Sequence, residues 1–151
     1  MASIVLLCTD GSDVSIEALR KSLPLLAPAD RTILVTVESP VDAEKTTGTG
    51  FAGRRSSPEL AEQIETSGDR QAKEILDSTA DALGLDDPEL MCVVGAPGEA
   101  ICTLVTSLPA SVVVIGNSGR SGLRRAVMGS TSDYIVRHSA CPVLVQAVGH
   151  R

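Results

Sequence analysis

Five short apolar runs alternate along the chain with segments whose apolar residues recur at helical spacing. "SIVLLC" (3–8), "TILVTVE" (32–38), "ELMCVVG" (89–95), "SVVVIG" (111–116) and "PVLVQAV" (142–148) read as buried strands. The first intervening segment, "VSIEALRKSLPLLA" (14–27), puts Val14, Ala18, Leu19, Leu23 and Leu26 on one helical face. Pro24 is expected to kink or shorten that helix. A second helix is expected from Ser57 as N-cap, with Pro58 at its first position, to about Leu83, closed by Gly84. Gly68 is a possible break within it. "GEAICTLVTSL" (98–108) and "STSDYIVRHS" (130–139) complete the set of four helices. Residues 39–57, rich in Gly, Ser and Thr and without periodicity, predict a long loop.

The order β-α-β-α-β-α-β-α-β, with strands apolar on both faces, predicts an α/β fold. It is a single doubly wound five-stranded parallel sheet with four helices, a Rossmann-like nucleotide-binding layer arrangement. No linker divides residues 1–151 and no internal repeat appears, so one domain is expected. Right-handed crossovers in such a sheet bring the first and fourth strands side by side where the strand order reverses. Ligands bind beyond the C-terminal strand ends at that place. The two segments so paired are "CTDGSD" (8–13) and "GNSGRSG" (116–122), the most loop-forming strand exits in the chain.

Composition narrows the ligand. Apolar residues make up 43% and charged residues 21%, enough for a core and a solvated surface. Tyr134 and Phe51 are the only aromatics, which disfavours base stacking on a single strand. A net charge of −6 argues against nucleic acid or an anionic membrane as partner. Cys8, Cys92, Cys102 and Cys141 form no C-x-x-C pair and read as free thiols of a reducing compartment. With no basic leader and no apolar run of about 20 residues, neither a signal peptide nor a membrane span is expected, and the location is expected to be cytoplasmic.

The candidate chemistry is concentrated in residues 112–131, "VVVIGNSGRSGLRRAVMGST". Gly116 and Gly119 allow backbone to approach a ligand, and successive N–H groups there can form an anion nest. Gly129 opens a helix, whose N-terminus offers unpaired N–H groups to negative charge, with hydroxyls from Ser130, Thr131 and Ser132. A strand-end glycine followed by a serine cap is the plainer reading of the same residues. Neither G-x-x-x-x-G-K-[ST] nor G-x-G-x-x-G after a strand is present, and Lys21, Lys45 and Lys73 lie away from the glycine-rich turns. Arg120, Arg124 and Arg125 suit phosphate in kind. They suit a solvated loop equally well and are placed there.

The segment fits G-x-x-G-x9-G-[S/T] and in this resembles the universal stress protein family, where that pattern binds ATP. Gly116 and Gly119 match the first pair, Arg120 to Met128 the spacer, and Gly129 and Ser130 the close. "IVLLCTDGSDVSIEAL", "VVGAPGEAI" and "CPVLVQ" are similar to the family's first strand and turn, third strand and helix, and last strand. Nearly the whole chain is covered, residues 39–57 being the main variable stretch. The resemblance implies an adenine-nucleotide site. Asp10 would meet the ribose, Val37 the adenine through its backbone, and Ile115 the sugar or base. Gly116, Gly119, Gly129, Ser130, Thr131 and Ser132 would hold the phosphates. Asp10 read by itself is also an Asx-turn or cap residue, Val37 is also strand core, and Gly95 shapes a turn. Family members vary at the position of Cys8.

The function implied is a regulatory stress-response protein that uses ATP, with Mg2+ as its companion ion, and hydrolyses it slowly or not at all. No Walker lysine or general base stands at the motif. The resemblance also implies a homodimer formed through the C-terminal strand, an apolar strand expected at a sheet edge. Two other readings remain. One is a scaffold of the same fold that works as a dimer without nucleotide. The other is an adenylating enzyme of the ATP pyrophosphatase type, which "DGSDVS" (10–15) distantly resembles though its residue order departs from that loop. Under the ATP reading, alanine at Gly116 or Gly129 is expected to weaken binding, through a Cβ intruding where phosphate sits against backbone.

Overall fold

The computed structural model describes residues 2–38, 70–117 and 128–149. Five strands are present: β1 (Ile4–Cys8), β2 (Arg31–Glu38), β3 (Glu89–Val94), β4 (Val112–Asn117) and β5 (Val143–Ala147). Four α-helices accompany them among the described residues: α1 (Asp13–Ser22), α2 (Arg70–Leu83), α3 (Pro97–Ser107) and α4 (Ser130–His138). The strands form one parallel sheet in the order β3-β2-β1-β4-β5. The chain runs outward from β1 to β3, then returns to add β4 on β1's other side. The reversal therefore lies between β1 and β4, the arrangement expected for such a sheet.

The two-residue period of the strands divides the core into two layers. Ile4, Leu6 and Cys8 of β1 join Ile33, Val35, Met91, Val93, Val113 and Ile115, and meet Ile101, Leu104 and Val105 of α3 and Ile135 of α4. Val5 and Leu7 point the other way with Leu34 and Val114, and meet Leu19 of α1 and Leu76 of α2. Helices thus cover both faces, which is why β1 is buried at all five positions. Tyr134 and Phe51 being the only aromatics of the chain, and neither belonging to these clusters among the described residues, the layers are packed by aliphatic side chains.

Helix boundaries follow local chemistry. Ser12 caps α1 by accepting from the Ser15 N–H, with Asp13 in the first turn and Arg20 and Lys21 in the last. Pro24 shortens this helix as expected: α1 stops at Ser22 and Leu23–Leu25 tighten into a 3-10 turn. Pro97 begins α3 one residue earlier than expected, at the position where a missing N–H costs nothing. α2 ends at Leu83, with Gly84 at φ 63 beyond it. Its expected start at Ser57 and the possible break at Gly68 lie outside the described residues, as does the loop 39–57.

At the sheet's N-terminal end, away from the β1–β4 crevice, Arg31 bridges β2 to β3 by a two-pronged bond to Glu89, Nε to Oε1 at 2.6 Å and Nη2 to Oε2 at 2.7 Å. The guanidinium's hydrogen bonds hold the Glu89 carboxyl below its ordinary value. A depressed carboxyl contributes stability above its unfolded pKa and loses it as pH falls through the folded one. Both side chains are more than a third exposed, so solvent screens the pair. Glu89→Gln is therefore expected to lower the melting temperature at pH 7 by roughly 1–3 °C. The gap between variant and parent should close as the acid is titrated below its ordinary range, and a gap constant from neutral to acid pH in thermal scans would refute the assignment.

Candidate functional site

The C-terminal ends of β1, β2 and β4 open into a cavity of about 580 Å³, walled on its far side by the starts of α3 and α4. This lies in the size range of pockets that enclose a cofactor-sized ligand. Its lining divides into an apolar half and a hydroxyl-rich half.

The apolar half follows from strand parity. Val35 and Val37 lie two apart on β2, and Cys8 at the end of β1 and Ile115 near the end of β4 share their face. Pro97 and Ile101, one helical turn apart on α3, close this wall. Burial, with smaller contributions from Cys102 and Cys141, pushes the Cys8 thiol up to about 12. At neutral pH it is a protonated, apolar wall residue rather than a nucleophile.

The polar half is built on the β1–α1 turn. Gly11 takes φ 79, a conformation costly for any residue with a Cβ, and the Ile75 side chain of α2 packs 3.0 Å from where a Cβ would stand. Asp10 Oδ1 accepts from the Ser12 N–H at 2.9 Å, an Asx-turn. Beneath it the buried Thr9 hydroxyl lies 3.1 Å from that of Thr79 on α2, and accepts from the Gly11 N–H at 3.0 Å and the Ser15 hydroxyl at 3.3 Å. The turn is thus held by a hydroxyl network and anchored to α2. Asp10, Ser12 and Ser15 face the cavity from it.

Opposite this turn, α4 begins. Gly129 is its N-cap and has no side chain to cap with. The first intrahelical bond is Asp133 N–H to Gly129 O at 2.9 Å, so the N–H groups of Ser130, Thr131 and Ser132 have no partner within the helix. These three residues line the cavity with Gly129 and Met128.

Of the nine residues expected to form the site, Asp10, Val37, Ile115, Gly116, Gly129, Ser130, Thr131 and Ser132 line this one cavity. Gly119 lies outside the described residues, as do Arg120, Arg124 and Arg125. Two of the eight have structural duties that spacing did not reveal. The missing Cβ of Gly116 points at α1: one built there would stand 2.8 Å from Ala18 Cβ. The glycine is demanded by the approach of α1 to β4, not by open space for phosphate, and the expectation of an intruding Cβ is corrected for this position. The Ser132 hydroxyl donates to the Gly116 carbonyl at 3.2 Å and is 3% exposed, tying α4 to β4. At Gly129 an added Cβ meets, among the described residues, Asn117 Oδ1 alone, at 3.8 Å. Gly95 (φ 154) is outside the cavity and donates its N–H to Glu38 O at 3.0 Å, which fits a turn residue.

Cys8, Thr9, Ser12, Ser15, Val35, Pro97 and Ile101 were not among the expected site residues. Strand parity could have found Cys8 and Val35, which share a face with Val37 and Ile115. Nothing in the local sequence points to Thr79, which reaches Thr9 across 70 positions.

Taken together, the sheet order and the cavity define a doubly wound α/β protein with a ligand-sized site at its topological switch point. The universal stress protein family model matches residues 1–146, and the chain belongs to that family. Universal stress protein MJ0531 of Methanocaldococcus jannaschii is 27% identical over 93% of this chain and 79% of its own length. Universal stress protein YxiE of Bacillus subtilis is 28% identical over 96% and 99%. A crystal structure of a universal stress protein in complex with cAMP covers 98% of both chains at 26% identity with a TM-score of 0.63. A family protein from Arabidopsis thaliana with AMP bound shares the fold, with a TM-score of 0.60 at 17% identity over 97% of this chain and 92% of its own. Among the described residues no helix is long and apolar enough to cross a membrane.

Proposed function

We propose that the protein binds an adenine nucleotide, with ATP as its regulatory ligand, and acts as a dimeric stress-response protein that turns ATP over slowly or not at all. The observation that carries this reading is the single cavity that gathers eight of the nine expected residues around one crevice. Its apolar half, from Val35, Val37, Cys8 and Ile115, suits a base and sugar. The Asp10 turn suits ribose hydroxyls. The bare N-terminus of α4 suits phosphate, because its N–H groups and dipole both favour negative charge. Related proteins of this fold hold cAMP and AMP, which supports the choice of adenine.

The wall also supports a binding role over catalysis. Among the described residues its titratable side chains are Asp10, engaged by the Ser12 N–H, and Cys8, a neutral thiol. Neither is poised to orient a nucleophile for phosphoryl transfer. No acidic cluster arranged for a metal ion occurs among the described residues. In this reading Mg2+ enters as the companion of the ATP phosphates, which supply most of its ligands. The homodimer is assigned to β5, which pairs with β4 on one side and leaves its other edge for a second copy.

The test is calorimetric titration of the purified protein with ATP, ADP, AMP and cAMP in the presence of Mg2+, beside Gly129→Ala. An alanine Cβ at 129 meets no close contact among the described residues, so stability should fall by no more than about 1 kcal/mol, the usual effect at an N-cap. ATP affinity should fall about tenfold or more, since phosphate must approach that backbone closely. Equal ATP affinity in parent and variant would remove the phosphate site from α4. A parent that binds none of the four nucleotides would overturn the proposal and leave the nucleotide-free scaffold as the function.

A further inference from the structure

Asn117 ends β4 paired to Ala147 of β5, and only 7% of it is exposed. Strand parity turns it toward the same layer as Val113 and Ile115, the layer that holds α3 and α4. There its Oδ1 accepts the Gly129 N–H at 3.1 Å, across twelve positions of sequence. The bond fixes which end of the amide faces the helix, because only the oxygen can accept. Asn117 is absent from the cavity lining. It stands behind the helix start rather than in it.

Two consequences follow from this geometry. The N-cap of α4 has no side chain, and the Asn117 oxygen, supplied from the neighbouring strand, takes the N-cap residue's own N–H, the bond that a glutamate of the first turn makes in a capping box. It also consumes the Gly129 N–H, which leaves the N–H groups of Ser130, Thr131 and Ser132 as the donors at the cavity. A second tie lies beside the first, the Ser132 hydroxyl to the Gly116 carbonyl at 3.2 Å. That bond covers a strand-end acceptor which would otherwise present partial negative charge near an anion. The neutral amide matters too. An aspartate at 117 would make the same bond and suit the helix dipole, yet place a full negative charge close behind the helix start that is to face phosphate.

We propose that Asn117 is a positioning residue for phosphate: it clasps the N-terminus of α4 to the end of β4 so that the free N–H groups of that helix face the phosphates, and does so without charge. The inference rests on the nucleotide reading above. It assigns to the first variable position of the glycine motif a role distinct from ligand contact.

The experiment compares ATP and adenosine binding by calorimetry in the parent, Asn117→Ala and Asn117→Asp, with melting temperatures for all three. Adenosine reports the base and sugar half of the cavity, and the ATP-to-adenosine affinity ratio reports the phosphate half. Asn117→Ala should lower ATP affinity about five- to tenfold, the effect of one lost hydrogen bond, and leave adenosine within about twofold. Asn117→Asp should keep or raise the melting temperature, because the cap survives, and still lower ATP affinity by about tenfold through repulsion. A general structural role would lower both ligands together in the alanine variant, and that result overturns the proposal. So does an ATP-to-adenosine ratio unchanged in both variants. A parent that binds adenosine and ATP equally, or neither, fails the nucleotide reading itself and is recognised before any variant is made.

Discussion

Gly116→Ala lowers the stability of the fold by about 1–3 kcal/mol, the usual range for forcing a methyl into a filled core, and Ala18→Gly made beside it recovers part of the loss. The steric fact is local and one-sided. A Cβ at 116 stands 2.8 Å from Ala18 Cβ, with Ser15 Cα at 3.7 Å and the Val14 carbonyl at 3.9 Å behind it. All three neighbours belong to α1. Ala18 is fully buried and has no rotamer through which to yield, so α1 itself must move. That helix cannot retreat freely, because Leu19 beside it is locked into the layer with Leu7, Leu34 and Leu76. Ala18→Gly alone should cost about 1 kcal/mol for a glycine inside a helix. In the double variant the two defects share one space, so the pair should be more stable than the sum of the singles predicts, by about 1–2 kcal/mol. Urea unfolding of the four proteins measures this coupling directly. A coupling near zero would mean that α1 and β4 do not meet as described. The same movement would carry Ser12 and Ser15 with it, so Gly116→Ala is a poor probe of phosphate binding and Gly129→Ala a good one.

The contrast between these glycines shows what the sequence could and could not disclose. Both stand in the same motif, and spacing alone gave them the same duty. Parity separates them: Ile115 and Asn117 turn toward α3 and α4, so Gly116 between them turns toward α1. That step needs only the strand register. The partner, Ala18, needs the packed structure. Fold class and the adjacency of β1 and β4 were legible for a similar reason, since apolar runs buried on both faces, joined by helices, admit few right-handed arrangements. The shortening of α1 was legible in Pro24. The anchoring of the Asp10 turn by Thr79 was not, because a threonine within α2 carries no local sign of a partner in the β1–α1 turn. Asn117 was passed over as one of two variable positions in the motif, although a polar residue ending an apolar strand on its helix-facing side was a usable clue.

Val145→Pro is expected to convert the proposed dimer into monomers while leaving the sheet of each copy assembled. The register of β4 and β5 decides which donors face outward. Val113 pairs with Val143 and Ile115 with Val145, and the Val113 N–H donates to the Pro142 carbonyl at 3.0 Å. In a parallel ladder the next bond must come from the Leu144 N–H to the Val113 carbonyl, and the pattern repeats every second residue. The N–H groups of Leu144 and Gln146 therefore serve the sheet, and those of Val143, Val145 and Ala147 point outward at the edge. A twofold axis would bring two such edges together antiparallel, each outward group meeting its counterpart. Proline at 145 removes an outward donor and places its ring in the seam, with no ladder bond lost within the chain. Proline at 144 removes a bond inside the sheet as well. Both variants should sediment as monomers, but Leu144→Pro should melt well below Val145→Pro, by several degrees for about 1–2 kcal/mol in a chain of this size. The order of the two melting temperatures tests the register, and the sedimentation tests the interface. A parent that is already monomeric, or a Val145→Pro protein that still sediments as a dimer, would move self-association away from β5. Since β3, the other sheet edge, is crossed at its start by the Arg31–Glu89 pair, its charge makes it the weaker candidate for an apolar seam.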